Sequence, residues 1–190
     1  MLAAKGDALA GLWIEGQKYF ADGLKGEARE QDDFPVFVQA KEWLDRYFAG
    51  EKPRISELKL EPAGSEFRKA VWEALCQIPY GEVVTYKELA GEIAVLHNRE
   101  RMSAQAVGGA VGHNAISIII PCHRVVGANG SLTGYAGGID KKTKLLTHEG
   151  HIRKAFCAEK EYRPITHWFR AMLSSASRTM PIPTARCSCR

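Results

Sequence analysis

The chain has 190 residues, of which 45% are hydrophobic and 25% charged, so it is long enough for one large or two small globular domains. Its net charge of +4 does not indicate a basic body, because residues 1–150 hold 18 Lys and Arg against 20 Asp and Glu. No apolar run could span a membrane, and charged residues in the first twenty positions exclude a secretory signal. We therefore expect a cytoplasmic protein, and any nucleic-acid binding should depend on local geometry.

The five cysteines have neither the spacing of a disulfide framework nor that of a zinc site. In a reducing compartment they should be free thiols. Cys187 and Cys189 form an isolated pair at the end of the chain, too little for a metal site. The sequence thus predicts no metal site.

The N-terminal part predicts a small α/β domain over residues 1–61. Residues 8–14 alternate small and large apolar side chains, which favours a strand. Pro35 begins an amphipathic helix that Gly50 ends, and residues 52–60 are short and extended. This domain shows no catalytic constellation.

The second predicted domain covers residues 62–151 and follows a Pro- and Gly-containing linker. Ser65, Thr85 and Ser103 are each suited to cap the start of a helix. The last two helices are short and adjacent, which suggests a helix-turn-helix, although many such pairs are ordinary packing. The third helix carries Gly108 and Gly109, which we attribute to the close approach of another backbone, since each glycine weakens a helix.

Pro121-Cys122-His123-Arg124 lies between two apolar runs, residues 118–120 and 125–126. We expect both runs to be short buried strands, with Pro121 forcing the break between them. A thiol attacks as thiolate, and His123 can supply either a base or a nearby positive charge. The alternative is that Cys122 is only a small core residue.

The segment after the cysteine predicts a wing and a last helix. Residues 128–131 contain Asn-Gly, typical of a hairpin turn, and residues 133–138 form a Gly-rich loop. Asp140 should cap a helix that carries Glu149 on its last turn and stops at Gly150.

Together these motifs resemble the O6-alkylguanine-DNA alkyltransferase family over about residues 8–151. The resemblance is carried by Pro-Cys-His-Arg-Val, by Asn114 eight residues before the cysteine, and by Glu149 after a Tyr-x-Gly-Gly loop. It implies an α/β (α+β) two-domain fold. A small ribonuclease-H-like N-terminal domain, apparently truncated, would precede a winged helix-turn-helix-like alkyltransferase domain.

The resemblance also implies the chemistry. Cys122 would attack the alkyl carbon on guanine O6 and keep the alkyl group, in a one-shot, irreversible reaction without a cofactor. His123 would withdraw the thiol proton through a water, Glu149 would orient His123, and Asn114 would hold the active-site turn. O4-alkylthymine is a further candidate substrate.

The implied partner is double-stranded DNA containing O6-alkylguanine, bound by a monomer that flips the damaged base out through the minor groove. The implied DNA-binding residues are Tyr86, Ser103, Ala104, Gln105, Ala106, Gly108 and Arg124. The implied substrate pocket is walled by Val125, Tyr135 and Ala136. Arg124 could equally tie the wing down.

The chain departs from the family pattern in three places. Gln105 stands where the family usually has an Arg that fills the gap left by the flipped base. The N-terminal domain lacks the family's opening strands, and residues 152–190 match nothing familiar, so we expect them to be a disordered basic tail.

Two other functions remain open at this point. A cysteine hydrolase could use the same Cys, His and Glu, but it would turn over repeatedly. A lesion-sensing DNA-binding protein of the alkyltransferase-like kind would lack the acceptor cysteine.

Overall fold

The chain begins with a pair of antiparallel strands instead of the single strand predicted. The computed structural model describes residues 1–26 and 28–152 and the backbone of residues 180–182. In it, β1 (Leu2–Lys5) turns at Gly6 and pairs with β2 (Ala8–Leu12). Sequence reasoning missed β1 because its short run has two alanines and little apolar alternation.

A third strand extends this small sheet. The last strand (Met180–Ile182), which we number β5, pairs in parallel with the free edge of β1, giving the order β2-β1-β5. The prediction of a disordered tail is therefore wrong for these three residues, whose backbone hydrogen bonds to the sheet. The rest of the predicted tail beyond residue 152 lies outside the described residues.

One helix, α1 (Pro35–Ala49), packs against the sheet as predicted. Proline occupies its first turn, where no amide donor is needed, and Gly50 ends it with a φ of 87°. Its buried face includes Phe37, Trp43 and Tyr47. This face forms the core of the N-terminal domain.

Three helices with predicted caps follow: α2 (Glu66–Leu75), α3 (Tyr86–Leu96) and α4 (Ala104–Gly112). The side chains of Ser65, Thr85 and Ser103 each accept a hydrogen bond from the first turn, so all three caps are confirmed. The indole of Trp72 donates to the carbonyl of Ala110 at 2.9 Å, which joins α2 to α4.

The predicted strand over residues 118–120 does not form. Ile118 has a φ of 73°, which a β-branched residue rarely adopts and no strand allows. The preceding residues pair instead with the end of β2: Leu12 N donates to Ala115 O and Ser117 N donates to Leu12 O, each at 2.8 Å. The N-terminal sheet therefore continues into the segment that precedes Cys122.

The predicted wing hairpin is also wrong. The Asn-Gly pair does turn, with Asn129 at a φ of 60°, and Gly127 N donates to Ser131 O. However, β4 (Val125–Val126) pairs in parallel with β3 (Val84–Thr85) and has no returning partner strand among the described residues. The residues after the turn stay irregular.

The last helix of the body is α5 (Ile139–His148). Asp140 does not cap it as predicted. Gly138, at a φ of 93°, is the N-cap, and Asp140 lies within the first turn, where its carboxylate suits the helix dipole. The helix ends at His148, and Glu149 is its C-cap instead of a residue of its last turn. Gly150 follows with a φ of 81° and stops the helix, as predicted. No described helix is both long and apolar enough to cross a membrane.

Candidate active site

Cys122 begins a short 3-10 turn (Cys122–Arg124) immediately after Pro121. Its amide donates to Ile120 O at 2.8 Å, and Arg124 N donates to Pro121 O at 2.9 Å. Its side chain is almost fully buried. The local backbone therefore holds the thiol in one position beneath the surface.

Asn114 fixes the geometry around this thiol. Its Nδ2 donates to Cys122 Sγ at 3.0 Å and to the carbonyl of Ile120 at 2.9 Å. Its Oδ1 accepts from Ile116 N at 3.0 Å, so both ends of the amide are used. The sequence predicted that Asn114 and Cys122 would meet, and the structure brings them together.

The thiol is protonated at rest. Burial raises the pKa of Cys122 to about 11, although the hydrogen bond from Asn114 and the charge of Lys142 oppose this rise. Since only the thiolate is a good nucleophile, attack by this thiol on any substrate would need a base to remove its proton.

His123, the next residue, has the geometry of a base. Its Nε2 lies 2.8 Å from Glu149 Oε1, and because a carboxylate only accepts, Nε2 carries the proton. The other nitrogen, Nδ1, is buried and has no hydrogen-bond partner among the described residues. Burial lowers the pKa of His123, with partial compensation by Glu149, so the ring is neutral and Nδ1 can accept a proton.

The carboxylate of Glu149 is buried among five donors. They are His123 Nε2, Arg124 Nε, Arg124 Nη2, the Tyr47 hydroxyl and Gly81 N, at 2.6–3.1 Å. Burial alone would raise its pKa, but the hydrogen bonds from His123 and Arg124 hold the pKa well below its usual value. Glu149 therefore stays ionised and can orient His123.

Arg124 does not lie where the predicted DNA contact requires. Its side chain is only 7% exposed, pairs with both oxygens of Glu149 and donates to the carbonyl of Ile78. This prediction is corrected: Arg124 serves the inside of the site, because an unpaired buried Glu149 would be costly.

Lys142 is a site residue that sequence reasoning missed. It is fully buried, and its Nζ donates to Val125 O at 2.5 Å and to Thr133 O at 2.9 Å. Burial lowers its pKa to about 8, against the opposing effect of Cys122. A signal was available, since Lys142 precedes Leu145 by three positions and shares its buried helix face.

Two tyrosines are associated with the Gly-rich loop: Tyr86 contacts it, and Tyr135 belongs to it. The Tyr86 hydroxyl donates to Gly134 O at 2.8 Å, and the Tyr135 hydroxyl is buried without a hydrogen-bond partner among the described residues. Burial, together with the charge that Cys122 can carry, raises the pKa of Tyr86 to about 12. A Cβ on Gly137 would lie 2.7 Å from the Tyr135 ring, so this position requires glycine.

The predicted pocket residues flank this loop. Val125 is fully buried next to the cysteine turn, whereas Tyr135 and Ala136 are half-buried. The carbonyl of Ala136 accepts from Lys18 N at 2.8 Å, which ties the loop to the N-terminal domain.

The start of α4 presents the small, exposed residues Ser103, Ala104 and Ala106, as predicted. The longer side chain of Gln105 is exposed among them. Gly108 is half-buried, and a Cβ there would meet only the Tyr86 ring at an ordinary 3.6 Å. A Cβ on Gly109 would meet nothing within 4 Å, so no backbone of the described chain explains the glycine pair as we expected.

The second described cysteine differs from the first. Burial raises the pKa of Cys76 to about 11, but no histidine base adjoins it in sequence. Within residues 1–26 and 28–152, no group of His, Cys, Asp and Glu side chains could hold a metal ion. Cys157, Cys187 and Cys189 lie outside the described residues.

Two family models match the chain. The DNA binding domain of 6-O-methylguanine DNA methyltransferase matches residues 66–151, and the ribonuclease-like domain of the same family matches residues 1–62. The chain is 40% identical over 149 residues to a methylated-DNA–protein-cysteine methyltransferase of Haemophilus influenzae, an alignment that covers 78% of this chain and 79% of that protein. Identity is 46% over 144 residues with the protein of that name from Methanosarcina acetivorans, covering 72% and 86%.

Solved structures give the same grouping. Mycobacterium tuberculosis OGT in complex with DNA superposes with a TM-score of 0.63 at 41% identity, covering 78% of this chain and 84% of that one. A single-residue variant of the M. tuberculosis O6-methylguanine methyltransferase superposes with a TM-score of 0.61 at 36% identity, covering 85% and 87%.

Proposed function

The chain belongs to the 6-O-methylguanine DNA methyltransferase family, and on that premise we propose that Cys122 takes the alkyl group from O6-alkylguanine in DNA. The function is DNA repair by alkyl transfer to a protein cysteine. The enzyme is a methylated-DNA–protein-cysteine methyltransferase, which is consumed as it acts.

One observation carries the assignment of the acceptor. The thiol of Cys122 receives a hydrogen bond from Asn114 and is followed directly by His123, which pairs with the ionised Glu149. This is the nucleophile, base and orienting group that attack by a thiol requires. Cys76 has no adjacent histidine in the sequence that could act as its base.

The reaction has four linked changes. His123 Nδ1 takes the thiol proton through a water, and the sulfur of Cys122 attacks the alkyl carbon. A sulfur–carbon bond forms as the bond from that carbon to guanine O6 breaks. The electron pair leaves with the base, which takes up one proton and is restored as guanine. Asn114 donates to the sulfur while it bears negative charge.

DNA would meet the exposed start of α4. Helices α3 and α4 would act as a helix-turn-helix, with Ser103, Ala104 and Ala106 against the minor groove and Gln105 in the space of the flipped base. Tyr86 would contact the backbone of the target nucleotide, beside Gly108. Small exposed side chains and the half-buried Gly108 support this orientation.

The remaining expectations concern organisation. We propose that residues 1–61 form the ribonuclease-like domain and residues 62–151 the alkyltransferase domain. We further propose that the protein acts as a monomer in the cytoplasm on O6-alkylguanine, with O4-alkylthymine as a candidate substrate.

Intact mass spectrometry with peptide mapping tests the acceptor. After the protein is mixed with a duplex oligonucleotide containing O6-methylguanine, its mass should rise by one methyl group, located on Cys122. Cys76→Ser should react like the parent, and Cys122→Ser should gain no mass. Restored guanine without added mass would indicate a hydrolase, and binding without transfer would indicate a lesion-sensing protein; either result overturns the proposal.

A further inference from the structure

The N-terminal domain supplies one side chain to the buried carboxylate of the site. Tyr47, on α1, donates its hydroxyl to Glu149 Oε1 at 2.6 Å, across 102 positions of the sequence. The side chain of Tyr47 is almost fully buried. Its hydroxyl therefore has a fixed partner, and that partner also holds His123.

Tyr47 is held rigidly in this position. Its ring stacks on Trp43 at 5.5 Å and meets the edges of Phe48 and Tyr80. The Trp43 indole donates to Arg54 O, and the backbone carbonyl of Tyr47 lies 2.8 Å from His148 Nε2. An aromatic cluster thus prevents the phenol from turning away from Glu149.

The phenol remains a neutral donor. Burial and the neighbouring Glu149 raise the pKa of Tyr47 well above its usual value. Tyr47 therefore keeps its proton at neutral pH, and it gives a hydrogen bond without adding charge.

Three donors share one oxygen of Glu149. His123 Nε2 lies 2.8 Å, Arg124 Nη2 3.0 Å and the Tyr47 hydroxyl 2.6 Å from Oε1. Each hydrogen bond reduces the negative charge that Glu149 Oε1 can offer to the other two donors. Because the site is buried and has a low dielectric constant, this competition affects His123 strongly. The shortest of the three contacts belongs to Tyr47.

We propose that Tyr47 is a positioning residue for alkyl transfer, which holds Glu149 Oε1 in place and limits how strongly Glu149 stabilises the protonated form of His123. The proposal rests on the proposed function, since it assigns His123 as the base. Through Tyr47, the N-terminal domain sets the strength of that base.

Other charged or titratable groups also face His123, and a variant that tests Tyr47 must leave them unchanged. Lys142 acts on it from within α5, and Glu149 contacts it from the end of that helix. Cys122 and Arg124 flank it in the 3-10 turn. Tyr80, from the loop after α2, acts on Glu149 only at longer range. Tyr47 is the partner of Glu149 whose hydroxyl can be removed without changing any charge or any backbone.

The test is the pH dependence of reaction with free O6-benzylguanine, which needs no DNA contact. In Tyr47→Phe, Glu149 should act more fully on His123, so His123 should be protonated at higher pH. The acid limb of the pH–rate profile should move up by roughly half a pH unit, the scale of one neutral hydrogen bond. The histidine ring signals in an NMR titration should move by the same amount.

A second variant should shift the acid limb in the opposite direction while keeping the phenol ring and its hydroxyl. Incorporating 3-fluorotyrosine at position 47 makes the phenol a stronger donor, so the acid limb should move down. Tyr80→Phe is the matched control: it removes a hydroxyl from the same cluster, but that hydroxyl donates to His148 O and not to Glu149. Its profile should stay that of the parent.

The outcomes separate this proposal from the proposed function. If the parent alkylates Cys122 but neither position-47 variant moves the acid limb, or both move it in the same direction, Tyr47 has only a structural role and the proposal is overturned. A parent that transfers nothing overturns the proposed function instead. If Tyr47→Phe does not fold, the fluorinated protein alone decides.

Discussion

At the scale of the residue, the surroundings of Cys122 act on the pKa of its thiol in opposite directions. Burial raises the pKa of its thiol to about 11, so the protonated thiol reacts slowly with oxidants and with electrophiles other than the substrate. Asn114 opposes this by donating to the sulfur, and His123 stands next to it as a neutral base. In the proposed reaction the thiol would stay protonated until the substrate binds, and His123 would then accept its proton.

The contribution of Asn114 can be measured with Asn114→Asp. The variant keeps the shape and the acceptor for Ile116 N, but it loses the donor and places a negative charge beside the sulfur. Losing a hydrogen bond to a charged group costs about 1.5–3 kcal/mol, so reaction with O6-benzylguanine should slow by roughly tenfold or more. Asn98→Asp, in an exposed loop, should react at the parental rate; equal rates for the two variants would contradict the assignment.

Glu149→Gln tests the buried ion pair. The variant leaves Arg124 without its buried partner, so the free energy of unfolding at neutral pH should fall by about 3 kcal/mol. Folding depresses the pKa of Glu149. The stability that its charge provides is therefore full above the unfolded pKa, falls as pH drops below that value, and is lost once pH passes the folded pKa.

The difference between parent and Glu149→Gln should therefore shrink below about pH 4. Urea unfolding over a pH series measures it. Glu66→Gln, which changes an exposed surface pair with Lys69, should stay within about 0.5 kcal/mol of the parent. A constant difference across all pH values would contradict a depressed pKa.

At the scale of the element, local signals predicted well what local chemistry determines. Ser65, Thr85 and Ser103 were recognisable as caps because a cap is defined within four residues. The strand predicted over residues 118–120 was wrong because a buried turn and a buried strand can have the same apolar composition. Its shape is fixed by pairing with β2, more than 100 positions away in sequence.

The α4 position 105 gives a prediction about base flipping. Arg should fill the space of the flipped base with an added charge in the negative groove, so Gln105→Arg should stabilise the flipped state by roughly 1 kcal/mol. Repair of duplex DNA should then speed by about fivefold, while reaction with free O6-benzylguanine stays unchanged. If Gln105→Ala repairs duplex as fast as the parent, Gln105 does not occupy that space.

At the scale of the molecule, the N-terminal domain supports the site through several long-range contacts. Strand β2 pairs with residues 115–117, Lys18 N donates to Ala136 O, and Tyr47 donates to Glu149. The cluster of Asn114, Cys122, His123 and Glu149 could be predicted from the sequence, because its members belong to recognisable motifs. Tyr47 could not, since nothing local distinguishes it from a core aromatic residue. Lys142 was missed although its spacing from Leu145 places it on the buried face of α5.

The charge distribution predicts weak salt dependence of DNA binding. Residues 61–150 have equal numbers of basic and acidic residues, nine of each, so few phosphates can be neutralised. For protein lacking residues 152–190, the logarithm of the binding constant against that of salt concentration should have a slope no steeper than about −3. A slope steeper than about −6 would show that a basic surface drives binding.

Counting repaired lesions per protein molecule tests the central claim most directly. Protein of known active concentration is titrated against a several-fold excess of duplex containing O6-methylguanine, and restored guanine is counted at long times. Since transfer consumes Cys122 and nothing in the proposed reaction removes the alkyl group, repair should stop at one lesion per molecule, with every molecule methylated on Cys122. Repair that continues past one lesion per molecule would contradict the account.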